Sequence, residues 1–253
     1  MNRRALAIAA HPDDIEFMMA GTMLRLKEAG WDLHYWNLGT GNQGTDRLPA
    51  NEIARIRREE AMASCKLAGA VFHEPISDDI EIFYSKELLV KVAAVLREVA
   101  PEIVLTHYPD DYMEDHSNTA RLAVTAAFIR GMPNYQTEPA SGTTSQPVAL
   151  YHAMPYGLLD PLRRAVTPDF CVDISAGMDR KTEMLACHRS QKEWLDVSQG
   201  QEAYLETLRN MSAEMGQKYG GCAFAEGWLQ HLHLGLAGED FDPLRDLLSP
   251  REQ

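Results

Sequence analysis

The chain has 253 residues, 45% of them hydrophobic, and a formal net charge of −13. This length and apolar content fit one α/β domain with a full core. The excess negative charge argues against nucleic acid or an anionic membrane as a partner, because both are negatively charged themselves.

The sequence also predicts where the protein resides. No segment approaches the apolar length of a membrane span, and the apolar run after Arg3 and Arg4 is too short for a signal peptide. The four cysteines are widely spaced and form no C-x-x-C pair. Buried, reduced thiols are the ordinary state of such residues in the cytoplasm. We therefore expect a cytoplasmic protein.

The first predicted element is a short buried strand at residues 5–10, followed at once by a helix. Beyond His11 the apolar spacing changes to the helical period, and Pro12 suits the first position of a helix. The apolar face of this helix comprises Ile15, Met18, Met19, Thr22, Met23 and Leu26.

Strands and helices alternate along the following part of the chain. Predicted strands lie at residues 31–38, 71–73, 103–106, 148–154 and 170–174, and predicted helices at 51–68, 86–99, 117–130, 176–190 and 202–219. This alternation predicts βαβ units and a parallel sheet. We expect a Rossmann-like open sheet, mostly parallel, with helices on both faces, in a single domain over residues 1–253. Residues 132–147 are predicted to form an irregular excursion, and the acidic tail after residue 235 to pack outside or reach a neighbour.

The turn after the first strand contains candidate metal ligands and a candidate catalytic base. His11 and Asp14 are three residues apart and can point the same way in a first helical turn. A histidine nitrogen and a carboxylate oxygen can form half of a zinc site, which leaves Asp13 as a base. The simpler alternative is a capped helix with a polar first turn.

A second turn should meet the first one. Strands wound in this way usually lie in the order 3-2-1-4-5, so strands one and four are neighbours. The loop after strand four, residues 107–116, is rich in metal-ligand residue types. We expect His116 to be the third ligand of an open zinc site and Asp115 to orient a ligand or contact substrate. Iron or another divalent ion is an alternative metal.

The sequence Ala10-His11-Pro12-Asp13-Asp14, followed by an acidic residue, resembles the signature of the LmbE-like, or PIG-L, zinc-dependent de-N-acetylases. In that family the histidine and the second aspartate bind zinc, and the first aspartate is the catalytic base. The resemblance thus implies metal binding by His11 and Asp14 and catalysis by Asp13. Here the acidic residue, Glu16, falls one place late.

The family's second motif, His-Pro-Asp-His, corresponds to Met113-Glu114-Asp115-His116. The aspartate and the zinc-binding histidine are retained, but Met113 replaces the first histidine. The resemblance assigns that histidine to oxyanion stabilisation or to protonation of the leaving amine, and methionine does neither well. His107 or Tyr112 are the candidate substitutes.

Three further segments resemble the family. In Arg57-Arg58-Glu59-Glu60, either arginine is expected to reach a sugar or an anionic aglycone, the alternative being a solvated helix face. His188 lies in a segment similar to the family's His-x-Ser-Gln and is a candidate for the pocket. Residues 224–227 resemble its closing Ala-Glu-Gly segment. Family members often assemble into trimers or hexamers, so a homo-oligomer is a further expectation.

A G-x-G-x-x-G pattern at residues 39–44 follows the second strand, and Pro49 separates it from the next helix. A dinucleotide-binding loop requires a different context, so a flexible loop at the rim of the crevice is the favoured interpretation.

Together these features predict a metal-dependent hydrolase that removes the N-acetyl group from an N-acetylglucosamine-type amino sugar or glycoconjugate, releasing acetate and a free amine. The substrate is expected to be a small molecule. The alternatives are an amidase acting on a larger acyl or thiol conjugate, a non-catalytic sugar- or metal-binding relative, and a nucleotide-binding oxidoreductase that uses the glycine loop.

Overall fold

The computed structural model describes residues 3–191 and 203–248. Its strands form one sheet in the order β3-β2-β1-β4-β5-β7-β6, which confirms the predicted order of the first five. The strands are β1 Arg4–Ala9, β2 Asp32–Asn37, β3 Val71–His73, β4 Ile103–Thr106, β5 Ala149–Ala153, β6 Phe170–Asp173 and β7 Ala225–Gln230.

The first five strands are parallel, whereas β7 runs antiparallel to both β5 and β6. Strand β7 was not predicted. Its sequence lacks a period-two pattern, because a buried glutamate, a glycine and a tryptophan follow one another. It joins the sheet through contacts that are distant in sequence.

Helices cover both faces of the sheet, as predicted. They are α1 Asp14–Met18, α2 Ala20–Glu28, α3 Ala50–Ala68, α4 Lys86–Val99, α5 Glu114–Ile129, α6 Met178–Leu185, α7 Ala203–Met215 and α8 Pro243–Leu248. One apolar core lies between the sheet and α4 and α5, and the other between the sheet and the remaining helices. Within the described residues, none of these helices has the length and apolar character of a membrane-crossing segment.

The predicted helix boundaries need three corrections. Helix α5 begins three residues earlier than predicted, so the second motif lies in its first turn. The predicted helix over 176–190 is shorter, because a 3-10 turn at Ser175–Gly177 precedes α6. The helix predicted over 202–219 has its first residue outside the described residues, and beyond α7 it continues as a π-type turn at Gly216–Gly220.

The first helix also differs from the prediction. Pro12 lies outside it, since α1 begins at Asp14 and is interrupted at Met19 before α2. The carboxylate of Glu226 in β7 accepts hydrogen bonds of 2.8 and 2.7 Å from the amides of Gly21 and Thr22. Free amides in the first turn of a helix need such acceptors, so the interruption is stabilised by a strand at the other end of the chain.

The excursion at residues 132–147 is held by two buried arginines. Arg97 donates to carbonyl groups of Met132 and Ser141, and Arg130 donates to the carbonyl of Gln146. The described part of the C-terminal tail packs on its own chain, because Leu244 of α8 is fully buried. The excursion is thus part of the folded body, although it has no regular structure.

Candidate active site

The two predicted turns meet at the carboxyl ends of β1 and β4. These strands are parallel neighbours, so the residues that follow them share one edge of the sheet. His11, Asp14 and His116 are buried there, and one potential ligand atom of each lies within 4.8 Å of the others. Asp14 Oδ2 is 3.5 Å from His11 Nδ1 and 3.4 Å from His116 Nε2. Tetrahedral bonds to zinc place ligand atoms about 3.3–3.6 Å apart, so the group fits a divalent metal.

Both histidines of this group are oriented by a carboxylate. His11 Nε2 lies 2.9 Å from Asp115 Oδ2, and His116 Nδ1 lies 3.0 Å from Asp111 Oδ1. The nitrogen of each ring that faces Asp14 is therefore the one left for a metal. His116 Nε2 is buried and has no hydrogen-bond partner among the described residues. Metal-binding histidines are typically held in this way through their second nitrogen.

The electrostatics of the group favour a positive charge. Burial by itself lowers the pKa of His11, but hydrogen bonds to Asp115 and Asp14 outweigh it and raise that pKa to about 9. Burial likewise lowers the pKa of His116, but the negative charge of Asp14 outweighs it and raises that pKa to about 10. For Asp14, burial favours the neutral acid, yet the facing histidines hold its pKa well below the usual range. A bound cation would supply the same stabilising charge.

Asp13 lies beside this group in an unusual backbone conformation. Its φ of 109° is far outside the regions that a residue with a side chain prefers. Its Oδ2 accepts a 2.6 Å hydrogen bond from the Tyr204 hydroxyl and lies 3.7 Å from Arg57 Nη2. Burial raises the pKa of Asp13 to about 6, although Arg57 opposes the rise. A carboxylate with such a pKa can both accept and return a proton near neutral pH.

A cavity of about 480 Å³ opens over Asp13 and the group formed by His11, Asp14 and His116. This volume is within the range of small-molecule sites. Its lining combines aromatic and methionine side chains with a few polar groups. Besides the residues already described, it includes Phe17, Met18, Gln43, Gly44, Asp79, Ile80, Tyr112, Met113, Tyr156, Gln191 and Thr207.

The glycine loop leaves the space through which the side chain of Arg57 reaches this cavity. Gly41 has a φ of +79°, and a Cβ there would lie 2.6 Å from Arg57 Cδ. The guanidinium group therefore occupies space that a side chain on the loop would fill. Gln43 and Gly44 border the cavity, which agrees with the interpretation of residues 39–44 as a rim loop.

His107 does not reach the cavity, which corrects the expectation that it substitutes for the family's histidine. Its side chain is fully buried, and its Nε2 accepts a 2.9 Å hydrogen bond from the amide of Ala10. Its ring stacks on that of His116 with centroids 4.0 Å apart. The same nitrogen lies 3.4 Å from Asp14 Oδ2, so His107 contacts both Asp14 and His116 without lining the cavity. Tyr112, the other candidate, does line the cavity.

Two more predicted substrate residues are not part of the cavity wall. Arg58 Nε donates a 2.7 Å hydrogen bond to the exposed Glu74, so Arg58 lies on the solvated face of α3. His188 is completely buried, with its Nε2 3.3 Å from Glu16 Oε2. It lies behind the site and can affect Asp13 only through its charge. Of the two arginines, Arg57 alone contributes to the cavity.

Tyr204 and Tyr156 were not found by reasoning from the sequence. Tyr204 lies in the first turn of α7 and Tyr156 follows β5, far from both motifs in the sequence. Neither belongs to a pattern with recognisable spacing. Tyr151, which has the same residue type, is instead a core residue of β5. Only the packing of α7 and of the loop after β5 against the site distinguishes these tyrosines.

The fold and the site together define a class of protein. Its members have an open α/β sheet that carries a potential metal-binding His–Asp group where the carboxyl ends of β1 and β4 meet. Residues 6–127 match the family model PIG-L, described as GlcNAc-PI de-N-acetylase. The diacetylchitobiose deacetylase of Thermococcus kodakarensis is 29% identical over 244 residues, covering 91% of this chain and 86% of that protein.

Two solved structures extend the comparison. The 4-carboxy-2-hydroxymuconate hydratase of Pseudomonas putida has a TM-score of 0.75 and 26% identity, covering 91% of this chain and 96% of that one. The N,N'-diacetylchitobiose deacetylase of Pyrococcus horikoshii has a TM-score of 0.74 and 26% identity, covering 96% and 88%. These matches confirm that the first motif resembles the PIG-L, or LmbE-like, family, whose model covers residues 6–127 of this chain.

Proposed function

We propose that this protein is a metal-dependent hydrolase that removes the N-acetyl group from an N-acetylglucosamine-type amino sugar or glycoconjugate. Water is consumed, the acyl C–N bond breaks, and acetate and a free amine are released. The observation that carries the proposal is the position of Asp13, a buried carboxylate at the wall of the cavity that contains His11, Asp14 and His116. The deacetylases among its relatives support the same reaction.

Each residue of the site has a proposed role. His11, Asp14 and His116 hold the metal, for which zinc suits the donor set and iron is the alternative. When bound, the metal supplies Lewis-acid polarisation of the carbonyl and of water. Asp13 accepts the proton of the attacking water and can return it to the departing nitrogen. Asp115 keeps His11 in the orientation needed for binding, while Arg57 and Tyr204 hold Asp13 in place.

An acetate-release assay with metal-loaded protein tests the proposal. N-acetylglucosamine and its glycosides are the substrates, and metal analysis of the purified protein identifies the ion. We expect acetate and free amine in equal amounts. Binding of these sugars without any product would contradict the proposal and favour a non-catalytic relative. Faster release of longer acids from N-acyl analogues of the same sugars would indicate an amidase for larger acyl groups.

The similarity to a hydratase makes water addition to an unsaturated carboxylate a second candidate. The observation that favours it is Arg57, a buried cation in the cavity whose Nε has no hydrogen-bond partner among the described residues. A carboxylate could bind there. The test substrate is 4-carboxy-2-hydroxymuconate, the compound in the name of the similar hydratase. A decrease in the absorbance of its conjugated double bonds, without acetate release from the amino sugars, would favour this reaction.

We further propose a single domain that functions in the cytoplasm as a homo-oligomer, either a trimer or a hexamer. Light scattering of the purified protein measures the oligomeric state directly. A monomeric mass would contradict that part of the proposal without affecting the reaction.

A further inference from the structure

A buried ion pair between Lys181 and Glu226 lies where the first helix of the chain is interrupted. Lys181, in α6, is completely buried, and Glu226, in β7, is 4% exposed. The Lys181 Nζ donates a 2.7 Å hydrogen bond to Glu226 Oε1. Because the desolvation of a buried ion pair can cancel its attraction, stability alone does not explain why these charges are here.

The ion pair takes the place of a helical hydrogen bond. In a continuous helix the amide of Gly21 would donate to the carbonyl of Phe17, four residues earlier. Here the Gly21 amide donates to Glu226 Oε1 at 2.8 Å. The Phe17 carbonyl accepts a 3.1 Å hydrogen bond from Lys181 Nζ. Side chains that insert into the hydrogen-bond ladder bend or break a helix, so the pair accounts for the interruption at Met19.

The two charges also match the helix ends that they face. The carbonyl end of α1 faces the ammonium group of Lys181, and the amide end of α2 faces the carboxylate of Glu226. The helix dipole favours a cation at the first end and an anion at the second. Met19, which precedes α2, makes no capping hydrogen bond through its side chain, so Glu226 serves as the cap. The pair thus stabilises two separate helices in place of one continuous helix.

The interruption determines how α1 lies against the cavity. This helix begins at Asp14, and its Phe17 and Met18 line the cavity. With only five residues, its direction depends on how it joins α2. If the two helices became continuous, Asp14 would shift relative to His11 and His116, which other segments hold in place.

The same ammonium group contacts the helix that supports the proposed base. Lys181 Nζ donates a 3.4 Å hydrogen bond to Ser212 Oγ in α7. Tyr204 lies about two turns earlier in this helix and donates its hydrogen bond to Asp13. The ion pair is therefore connected to the metal ligand through α1 and to the base through α7.

We propose that Lys181 and Glu226 are positioning residues of the active site. By holding the break between α1 and α2, they place Asp14 for metal binding. Through Ser212 they also place Tyr204 of α7. This inference rests on the proposed function for the metal and the base, and it adds two residues that do not line the cavity.

The test replaces the pair with two apolar side chains of similar size, in Lys181→Met/Glu226→Met. Such a replacement of a buried ion pair is often neutral for stability, and the freed Gly21 amide can donate to the Phe17 carbonyl in a continuous helix. We expect the metal-free variant to melt at about the wild-type temperature. Its affinity for zinc should fall about tenfold or more, and its kcat with saturating zinc about 100-fold. Competition with a chelator and acetate release measure these quantities.

Arg209→Gln/Asp179→Asn is the matched control. Arg209 Nη1 lies 3.0 Å from Asp179 Oδ1 and joins the same two helices, α7 and α6, at the surface. Exposed ion pairs contribute little, so zinc affinity and kcat should stay within about twofold of the wild type. An equal loss in this control would overturn the inference, because any contact between the two helices would then have the same effect.

Wild-type zinc affinity and kcat in the folded double variant would also overturn the inference, because the pair would then be only structural. If that variant does not fold, Glu226→Gln replaces it, since glutamine keeps the volume and one acceptor oxygen. A decrease in zinc affinity supports the inference there, and wild-type affinity refutes it.

Failure of the proposed function can be distinguished from failure of this inference. If the wild type binds zinc but releases no acetate, the reaction is wrong, and the zinc affinities still decide the role of the pair. If the wild type binds no zinc, hydrogen exchange over residues 14–22 decides it. Slower exchange at Gly21 and Thr22 in the double variant would indicate the continuous helix, whereas unchanged exchange would refute the inference.

Discussion

The Tyr204 hydroxyl donates a 2.6 Å hydrogen bond to Oδ2 of Asp13, across 191 positions of the chain. Arg57 Nη2 approaches the same oxygen at 3.7 Å. One oxygen of the proposed base is thus fixed from two directions, and Oδ1 remains for a water molecule. The strained backbone of Asp13 is maintained by these contacts, so α7 contributes to the site as directly as the first motif does.

The hydrogen bond predicts the effect of Tyr204→Phe. Removing a hydroxyl that donates to a carboxylate loses about 1.5–3 kcal/mol of interaction. If that interaction orients Asp13 for catalysis, kcat should fall about 10- to 100-fold, while metal content stays unchanged. Steady-state kinetics and metal analysis measure both quantities, and Tyr219→Phe is the control. Wild-type kcat in Tyr204→Phe would show that the contact is only structural.

Replacing the base should separate metal binding from turnover. Asp13→Asn keeps the shape of the side chain but cannot accept a proton, so we expect it to retain metal and to lose about 10²–10⁴-fold in kcat. Turnover is measured with saturating metal. Wild-type turnover under that condition would refute the assignment of Asp13 as the base.

Asp115 should control metal affinity through His11. In Asp115→Asn the charged acceptor for His11 Nε2 is lost, and partners of this kind typically contribute 10- to 100-fold to metal binding. Competition with a chelator measures the affinity. Asp110→Asn is a suitable control, because Asp110 is exposed in the same loop. Equal affinity in both variants would argue against a role of Asp115 in orienting the ligand.

Acid should destabilise the fold through His152, which is buried in β5. Burial lowers its pKa to about 4, and His231, 3.0 Å away, adds to the effect, while its hydrogen bond to the His107 carbonyl opposes it. Because the ordinary value is 6.5, the unfolded chain binds the proton more readily. This contribution to stability is complete above pH 6.5 and is lost as the pH falls toward 4.

The measurement compares urea unfolding of wild type and His152→Gln at pH 7.5 and pH 5, with metal loading held constant. Glutamine keeps a donor for the His107 carbonyl and does not titrate. The wild type should lose about 2 kcal/mol more than the variant between these pH values. Parallel losses in the two proteins would mean that His152 is protonated in the folded state without a penalty.

Much of the framework follows from local sequence patterns. The alternation of strands and helices determined the parallel order of the first five strands, since right-handed crossovers leave few arrangements. The same order predicted that the turn after β1 and the loop after β4 would meet. Their residue types then gave His11, Asp14 and His116, because the ends of adjacent parallel strands share one edge of the sheet.

Local patterns could not decide which of the remaining polar residues reach the cavity. Arg57 and Arg58 are adjacent, yet one enters the cavity beside the glycine loop and the other lies in solvent. His107 and Tyr112 were equal candidates until packing buried the first. No pattern in the sequence marked Tyr156 or Tyr204 as residues of the cavity. The sequence by itself determined the order of the first five strands and the meeting of His11, Asp14 and His116. Tertiary structure alone decided the place of β7 and the wall of the cavity, because both depend on contacts between segments that are distant in sequence.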